Sequence, residues 1–586
     1  MQLNNFDDKP GAYKVTTQRT PQRKVRARTA RRATERANRK VGDRAERRGR
    51  RVLPTVEGFE RALEERGPDG VAEALLSRHN QRMVRIVEVG VMSQQIALPL
   101  LSAYMPLSFI AEQLGAHQLR PTIRSGATWP DHLAWGLDSV GAAVRLMLGM
   151  QPIGAAIIAR TQLERWSANL AFNVNQSQAP GEDMVAWLNR LWSGCGVWFP
   201  KHNKQVGDLF AELSELLHAR GPLMSLTWLD AVDIGDTPSS EHVRLMETTS
   251  RALTVTLGHL RLCLATAVED AGAVDLAESV ASIPLVTPAE SWVPHLGPIV
   301  WPMVPRHFDD PKIQSNISGM EVYYRKVADS MDGGRDPEVP RQGWPLYSLG
   351  HHRFRALTLA AAGSQREREI VGENPGYSIE DAMVSADLAG EMAAMLAAWL
   401  RADPARKPVA DALAMCSSAL RSAVWLWLED DSRAMACLRC VIEQIARARA
   451  WRVKPNRAAK IESNPNATPR DWIEAAGWRR LSLFNRALGE FAHGATTADW
   501  EVAHQALVSI QHDADTNEHA DLTGRSHAIR ASIFMVGREC AAWVDSFGSP
   551  LGEAYRHIID LDDIEADQSI EALMNRAWER RSTPVR

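Results

Sequence analysis

The chain has 586 residues, 45% hydrophobic and 24% charged, an ordinary globular composition that excludes a wholly disordered protein and fits three or four domains. Its net charge of −3 hides an asymmetry: residues 14–51 carry sixteen Lys/Arg against three acids, whereas residues 52–586 carry 51 Lys/Arg against 66 Asp/Glu. Six scattered cysteines and no visible signal peptide exclude a disulfide scaffold and point to a reduced, cytoplasmic location.

In chain order, residues 1–52 form a basic arm with almost no large apolar side chains, expected to be disordered or a solvated helix. Arg23, Lys24, Arg26, Arg28, Arg31, Arg32, Arg36, Arg39 and Lys40 lie in its densest part and are the candidate nucleic-acid contacts. Cations so spaced bind phosphate backbones by releasing counterions, without reading sequence.

Strand-type alternation is hard to find beyond the arm, and the chain reads as all-α. A first helical bundle is expected over 53–272. It has a helix near 70–90, an apolar segment at 89–115, a helix pair at 132–175, a helix at 182–193, one carrying His218 and a long one at 239–270. The uncharged stretch Val89 to Ala111 is long enough to span a membrane, but Gln94, Gln95, Pro99 and Pro106 favour a buried, broken helix and no membrane partner. Residues 273–378 read as an irregular connector, because prolines at 284, 288, 294, 298, 302, 305 and 311 forbid a long helix. The cluster His351-His352-Arg-Phe-Arg within it reads as surface. A second bundle is expected over 379–550, with helices near 379–402, 407–428, 432–453, 469–493, 498–511 and 524–547. Residues 551–586 add an acidic stretch and a last helix.

The two bundles share a pattern. Arg160-Thr-Gln-Leu-Glu164 is followed by Leu213-Ser-Glu-Leu-Leu-His218-Ala219, and Arg439-Cys-Val-Ile-Glu443 by Leu488-Gly-Glu-Phe-Ala-His493-Gly494. The Glu pair lies 279 positions apart and the His pair 275, so an internal duplication is expected. In each copy the Arg and Glu sit at i and i+4 of a helix, where they face the same way and can pair. Each copy is expected to hold its own ion pair and its own imidazole close together. Arg486 precedes His493 by two helical turns and shares its face. A neutral imidazole there can take the proton of an RNA 2′-hydroxyl while Arg486 stabilises the phosphorane charge, with no metal or other cofactor. The first copy has Ala211 at the position of Arg486 and is expected to be inactive.

A helical bundle with Arg-x-x-(Leu/Ile)-Glu on one helix and Leu-(Ser/Gly)-x-x-x-His-(Gly/Ala) on a later one resembles the HEPN-like superfamily. The resemblance covers about 320 residues in two copies and rests on short motifs. It implies small four-to-five-helix bundles, a role in toxin–antitoxin or phage-defence systems, and metal-independent endoribonuclease activity through Arg486 and His493. Arg439, Glu443, Glu490, Arg160, Glu164 and His218 would support them. It also implies a homodimer, or an intramolecular pseudo-dimer of the two copies. RNA is favoured over DNA as partner. Ala487 departs from the polar residue that often follows the motif arginine in that superfamily.

Two other functions stay open. One is a non-catalytic helical scaffold whose arm touches nucleic acid. The other is a di-iron carboxylate bundle, since Glu215-x-x-His218 and Glu490-x-x-His493 with Glu164 and Glu443 match its ligand inventory. Cys437-x-x-Cys440 lies inside an apolar helix and reads as two buried thiols rather than a zinc half-site. The tryptophans at 425, 427, 451, 472, 478 and 500 read as core rather than as base-stacking platforms.

Overall fold

Where the sequence places Ala, Leu and Met on every side of a segment, the computed structural model buries it as a helix. It describes residues 55–116, 129–194, 205–220, 240–285, 381–429, 431, 433–464, 467–478, 481, 485, 488–489 and 524–559. The chain divides into two compact units, Met1–Leu53 and Pro54–Arg586, and every described residue belongs to the second. Outside the described residues lie the basic arm, Arg486, Glu490, His493, Trp500, the 498–511 helix, the connector from 286 with its His351-His352 cluster, and the acidic tail.

The described residues are all-α, without a strand. In chain order the helices are α1 (Val56–Ala116), α2 (Trp129–Leu148), α3 (Pro152–Asn173), α4 (Met184–Gly194), α5 (Val206–Leu217), α6 (Ser240–Asp270) and α7 (Val274–Ser282). After the connector come α8 (Asp381–Arg401), α9 (Lys407–Leu428), α10 (Ala434–Val453), α11 (Pro455–Glu462), α12 (Pro469–Ala475), α13 (Gly524–Asp545) and α14 (Leu551–Ile558). Proline opens α3, α9, α11 and α12, where its missing N–H costs nothing. At α12 the Asp471 carboxylate accepts from both the backbone N–H and the hydroxyl of Thr468, at 2.8 Å each, and these bonds hold it below the ordinary carboxylate range.

The two halves pack alike. In the first, α1 lies on α2, α2 on α3, α3 on α6, α1 on α6 and α6 on α7; in the second, α8 lies on α9, α9 on α10, α10 on α13, α8 on α13 and α13 on α14. At an offset of 279, α9 and α10 repeat the bounds of α2 and α3 to within three residues, and at 275 Asp545 repeats the end of α6 at Asp270.

Helix α9 is the centre of the unit. It is buried from Val409 to Leu428 and packs on α8 and α10 on one side and on α2 and α3 on the other. Gly154 makes the crossing with α3 possible: a Cβ there would lie 2.4 Å from that of Ser422. The loop after α9 docks on the first half. Arg145 on α2 bonds Glu429 at 2.7 Å and Asp431 at 2.6 Å, and Arg433 reaches Ser139 at 2.7 Å and the Trp135 carbonyl at 3.1 Å. Helix α1 is tied to α8 by Arg82, which holds Glu391 through two bonds of 2.9 and 3.0 Å. Burial acts to raise that carboxyl, but Arg82, Arg78 and Arg421 outweigh it and bring it to about 2.

The structure differs from the sequence expectations in four places. The segment expected to break stays helical through Pro99 and Pro106, because buried Leu100, Leu101, Ala103, Tyr104, Met105 and Leu107 hold it in the core; the break comes instead at Gly67, at φ 65°. The single helix expected over 469–493 ends at Ala475, where Gly477 takes φ 83°. The connector expected to be irregular from 273 begins with α7, and a short helix, α14, precedes the acidic tail. Val243–Asp270 and Pro404–Leu428 are long and apolar enough to cross a membrane by length and composition, and 78% and 100% of their apolar windows are buried inside the fold.

Candidate functional site

The repeated motif residues that are described meet at the junction of the halves, formed by α3, the C-terminal end of α5, and α10. Arg160 and Glu164 pair as their spacing requires, Nη1 to Oε2 at 2.5 Å. The Arg160 guanidinium also touches Ser214 Oγ at 3.5 Å and lies 5.0 Å from the centre of the Phe210 ring.

The counterpart pair does not form. Glu443 bonds His218 of the first half, Oε1 to Nδ1 at 2.9 Å, and no ion pair joins it to Arg439. The partner of the His218 imidazole therefore comes from the other half, a residue that the sequence pattern did not name for it. The cause is local. His218 is the C-cap of α5, and the chain turns away at Ala219 with φ 51°. The Ala219 N–H donates to the Leu216 carbonyl at 2.9 Å and the Arg220 N–H to the Glu215 carbonyl at 2.8 Å, closing a Schellman turn. That turn explains the small residue after the histidine: it occupies the left-handed position, which glycine prefers. It also sends the imidazole outward onto α10. Side chains of α10 then take the carbonyls that α5 leaves unpaired, with Gln444 donating to Leu217 at 3.1 Å and Arg447 to His218 at 3.2 Å. Arg447 is itself paired with Glu462.

The electrostatics follow from this packing. Burial would raise the Glu443 carboxyl, but His218, Arg439 and Arg447 outweigh it and hold it below the ordinary carboxylate range. A carboxylate acceptor fixes the proton of the neutral imidazole on Nδ1 and leaves the Nε2 lone pair free. The His218 side chain is 44% exposed and Glu443 only 9%, so the imidazole meets solvent while its anchor does not. An imidazole so held can accept a proton or a hydrogen bond at Nε2.

Other expectations are met in part. Cys437 and Cys440 are buried free thiols on α10, pushed up by burial. Trp425, Trp427 and Trp472 are buried. Glu215 is exposed while His218 turns to Glu443, so this Glu-x-x-His pair does not converge on one point. Among the described residues no three His, Cys, Asp or Glu side chains gather as metal ligands, and the di-iron arrangement does not fit them.

Sequence reasoning missed Ser214, Gln444 and Arg447, although Arg447 stands one turn beyond Glu443. It also missed a buried cluster under α6. His259 Nε2 lies 2.9 Å from Asn169 Oδ1 and 3.5 Å from Cys263 Sγ, between Trp166 and Trp192. These are the residue types of a cysteine-nucleophile triad, but one imidazole nitrogen serves both neighbours. Burial raises the thiol and lowers the imidazole to about 4, so the cluster is a neutral core network. Comparison with protein-family models, curated proteins and solved structures gives no match for this chain.

Proposed function

We propose that this chain is an RNA-acting protein built from two HEPN-like halves packed as an intramolecular pseudo-dimer, working in the cytoplasm as a metal-independent endoribonuclease of a toxin or phage-defence type. The observation that carries the reading is the bond from His218 of the first half to Glu443 of the second. It puts the shared motif at a two-part junction, where a dimeric bundle builds its site. The matching helix bounds and packing order of the halves support a duplication. The sixteen cations of residues 14–51 supply a phosphate-binding arm for RNA.

In this reading His493 takes the 2′-hydroxyl proton. The 2′-oxygen attacks phosphorus, the 5′-oxygen leaves, and Arg486 stabilises the charge on the phosphorane. Purified protein incubated with total RNA in chelator tests it. Wild type is expected to cut and His493→Ala to lose at least about a hundredfold in rate, the usual scale for a lost general base. Equal cleavage by the two, or none by either, contradicts the catalytic reading.

A non-catalytic, RNA-binding scaffold is favoured by one observation. The Schellman turn at Ala219 gives the His-small motif a structural reason that needs no chemistry.

A further inference from the structure

The two halves treat their equivalent arginines differently. Arg160 bonds Glu164 at 2.5 Å and Ser214 at 3.5 Å. Arg439 has lost both. Its i+4 glutamate is taken by His218, and the residue in the place of Ser214 is Gly489, where an added Cβ would lie only 3.9 Å from Cζ and Nη1 of Arg439.

Among the described residues, Arg439 makes no hydrogen bond and no ion pair, and its buried Nε has no acceptor. The other arginines at the junction are bonded to a carboxylate, Arg160 to Glu164 and Arg447 to Glu462, while Glu443 is bonded to His218. Arg439 is only partly buried, and its outer nitrogens are not among the buried atoms that lack a partner. The His218 imidazole, also partly exposed, lies against the same glutamate that follows Arg439 by one turn.

We propose that Arg439 is the receptor for a phosphate group at the junction of the halves, with the free Nε2 edge of His218 beside it as a second polar contact. A guanidinium offers two parallel N–H donors, which fit a phosphate's oxygens better than any other side chain does. In the proposed site the anion lies on the side of Arg439 that faces Gly489, the position that Ser214 holds beside Arg160. The junction of the first-half histidine is then a binding centre, although Ala211 replaces the motif arginine there. That the phosphate is a diester of an RNA strand rests on the function proposed above; the anion site itself does not.

Calorimetric titration of the full chain tests this, with inorganic phosphate and with the dinucleotide ApA, which carries a single diester. Wild type is expected to bind ApA. Arg439→Gln should weaken binding at least about tenfold, the scale of a lost charge-assisted pair. Arg160→Gln should change it less than about twofold. Gly489→Ser is the second variant, since it keeps every charge and returns the hydroxyl that closes the first-half site; it too should weaken binding several-fold. Binding of inorganic phosphate but not of ApA, lost in both Arg439→Gln and Gly489→Ser, supports the anion site and contradicts the RNA reading. No binding of either probe at millimolar concentration, or unchanged binding in the two variants, overturns the proposal.

Discussion

At the scale of single residues, burial decides which side chains carry charge. His259 is fully buried and lies against Asn169, Cys263, Trp166 and Trp192. Burial therefore lowers its pKa, from 6.5 to about 4. The folded protein then binds fewer protons than the unfolded chain between these two values, so stability falls as pH drops from 6.5 towards 4 and is unaffected above 6.5. At 1.36 kcal/mol per pKa unit, the loss from pH 7.5 to pH 5 is about 2 kcal/mol from this group. Urea unfolding at the two pH values should show that loss in wild type and lack it in His259→Gln; an equal loss in both would refute the assignment. Glu391 does not confuse the result. Its pKa is depressed to about 2, so its contribution is lost only as pH falls below about 4.5. Spacing makes the Arg160–Glu164 pair legible in the sequence, because both partners lie on one helix. It cannot show that Glu443 goes to His218, a residue 225 positions earlier, since that choice is made by tertiary packing.

At the scale of elements, the helices were readable because their apolar faces repeat, and their ends were less so. Pro99 and Pro106 looked like breaks, but a buried apolar helix keeps its course when its neighbours hold it. Gly477 looked incidental, yet its φ of 83° ends a helix that the pattern would have continued. The close crossing of α3 and α9 was invisible, since no sequence pattern marks Gly154 as the partner of Ser422. Its consequence is measurable. A methyl at Gly154 would lie 2.4 Å from Ser422 Cβ and 3.0 Å from Leu146 Cδ1. Gly154→Ala should therefore cost about 1–3 kcal/mol by overpacking, despite the better helix propensity of alanine. A variant as stable as wild type in urea would show that the crossing is looser than this.

At the scale of the whole molecule, the described helices form one unit in which two similarly packed halves exchange ionic contacts: Arg145 to Glu429 and Asp431, Arg82 to Glu391, and His218 to Glu443. The repeated motif was legible in the sequence, and the way the halves share it was not. The arm and the pair Arg486/His493 lie outside the described residues. The His218–Glu443 contact joins the halves energetically. The most direct measurement is a double-mutant cycle of His218→Ala and Glu443→Gln in urea unfolding of the full chain. Coupling of about 1 kcal/mol is predicted, the value of one charge-assisted bond at a partly exposed site. Costs that simply add, to within about 0.3 kcal/mol, would mean that the two side chains do not interact and that the junction is not a shared site.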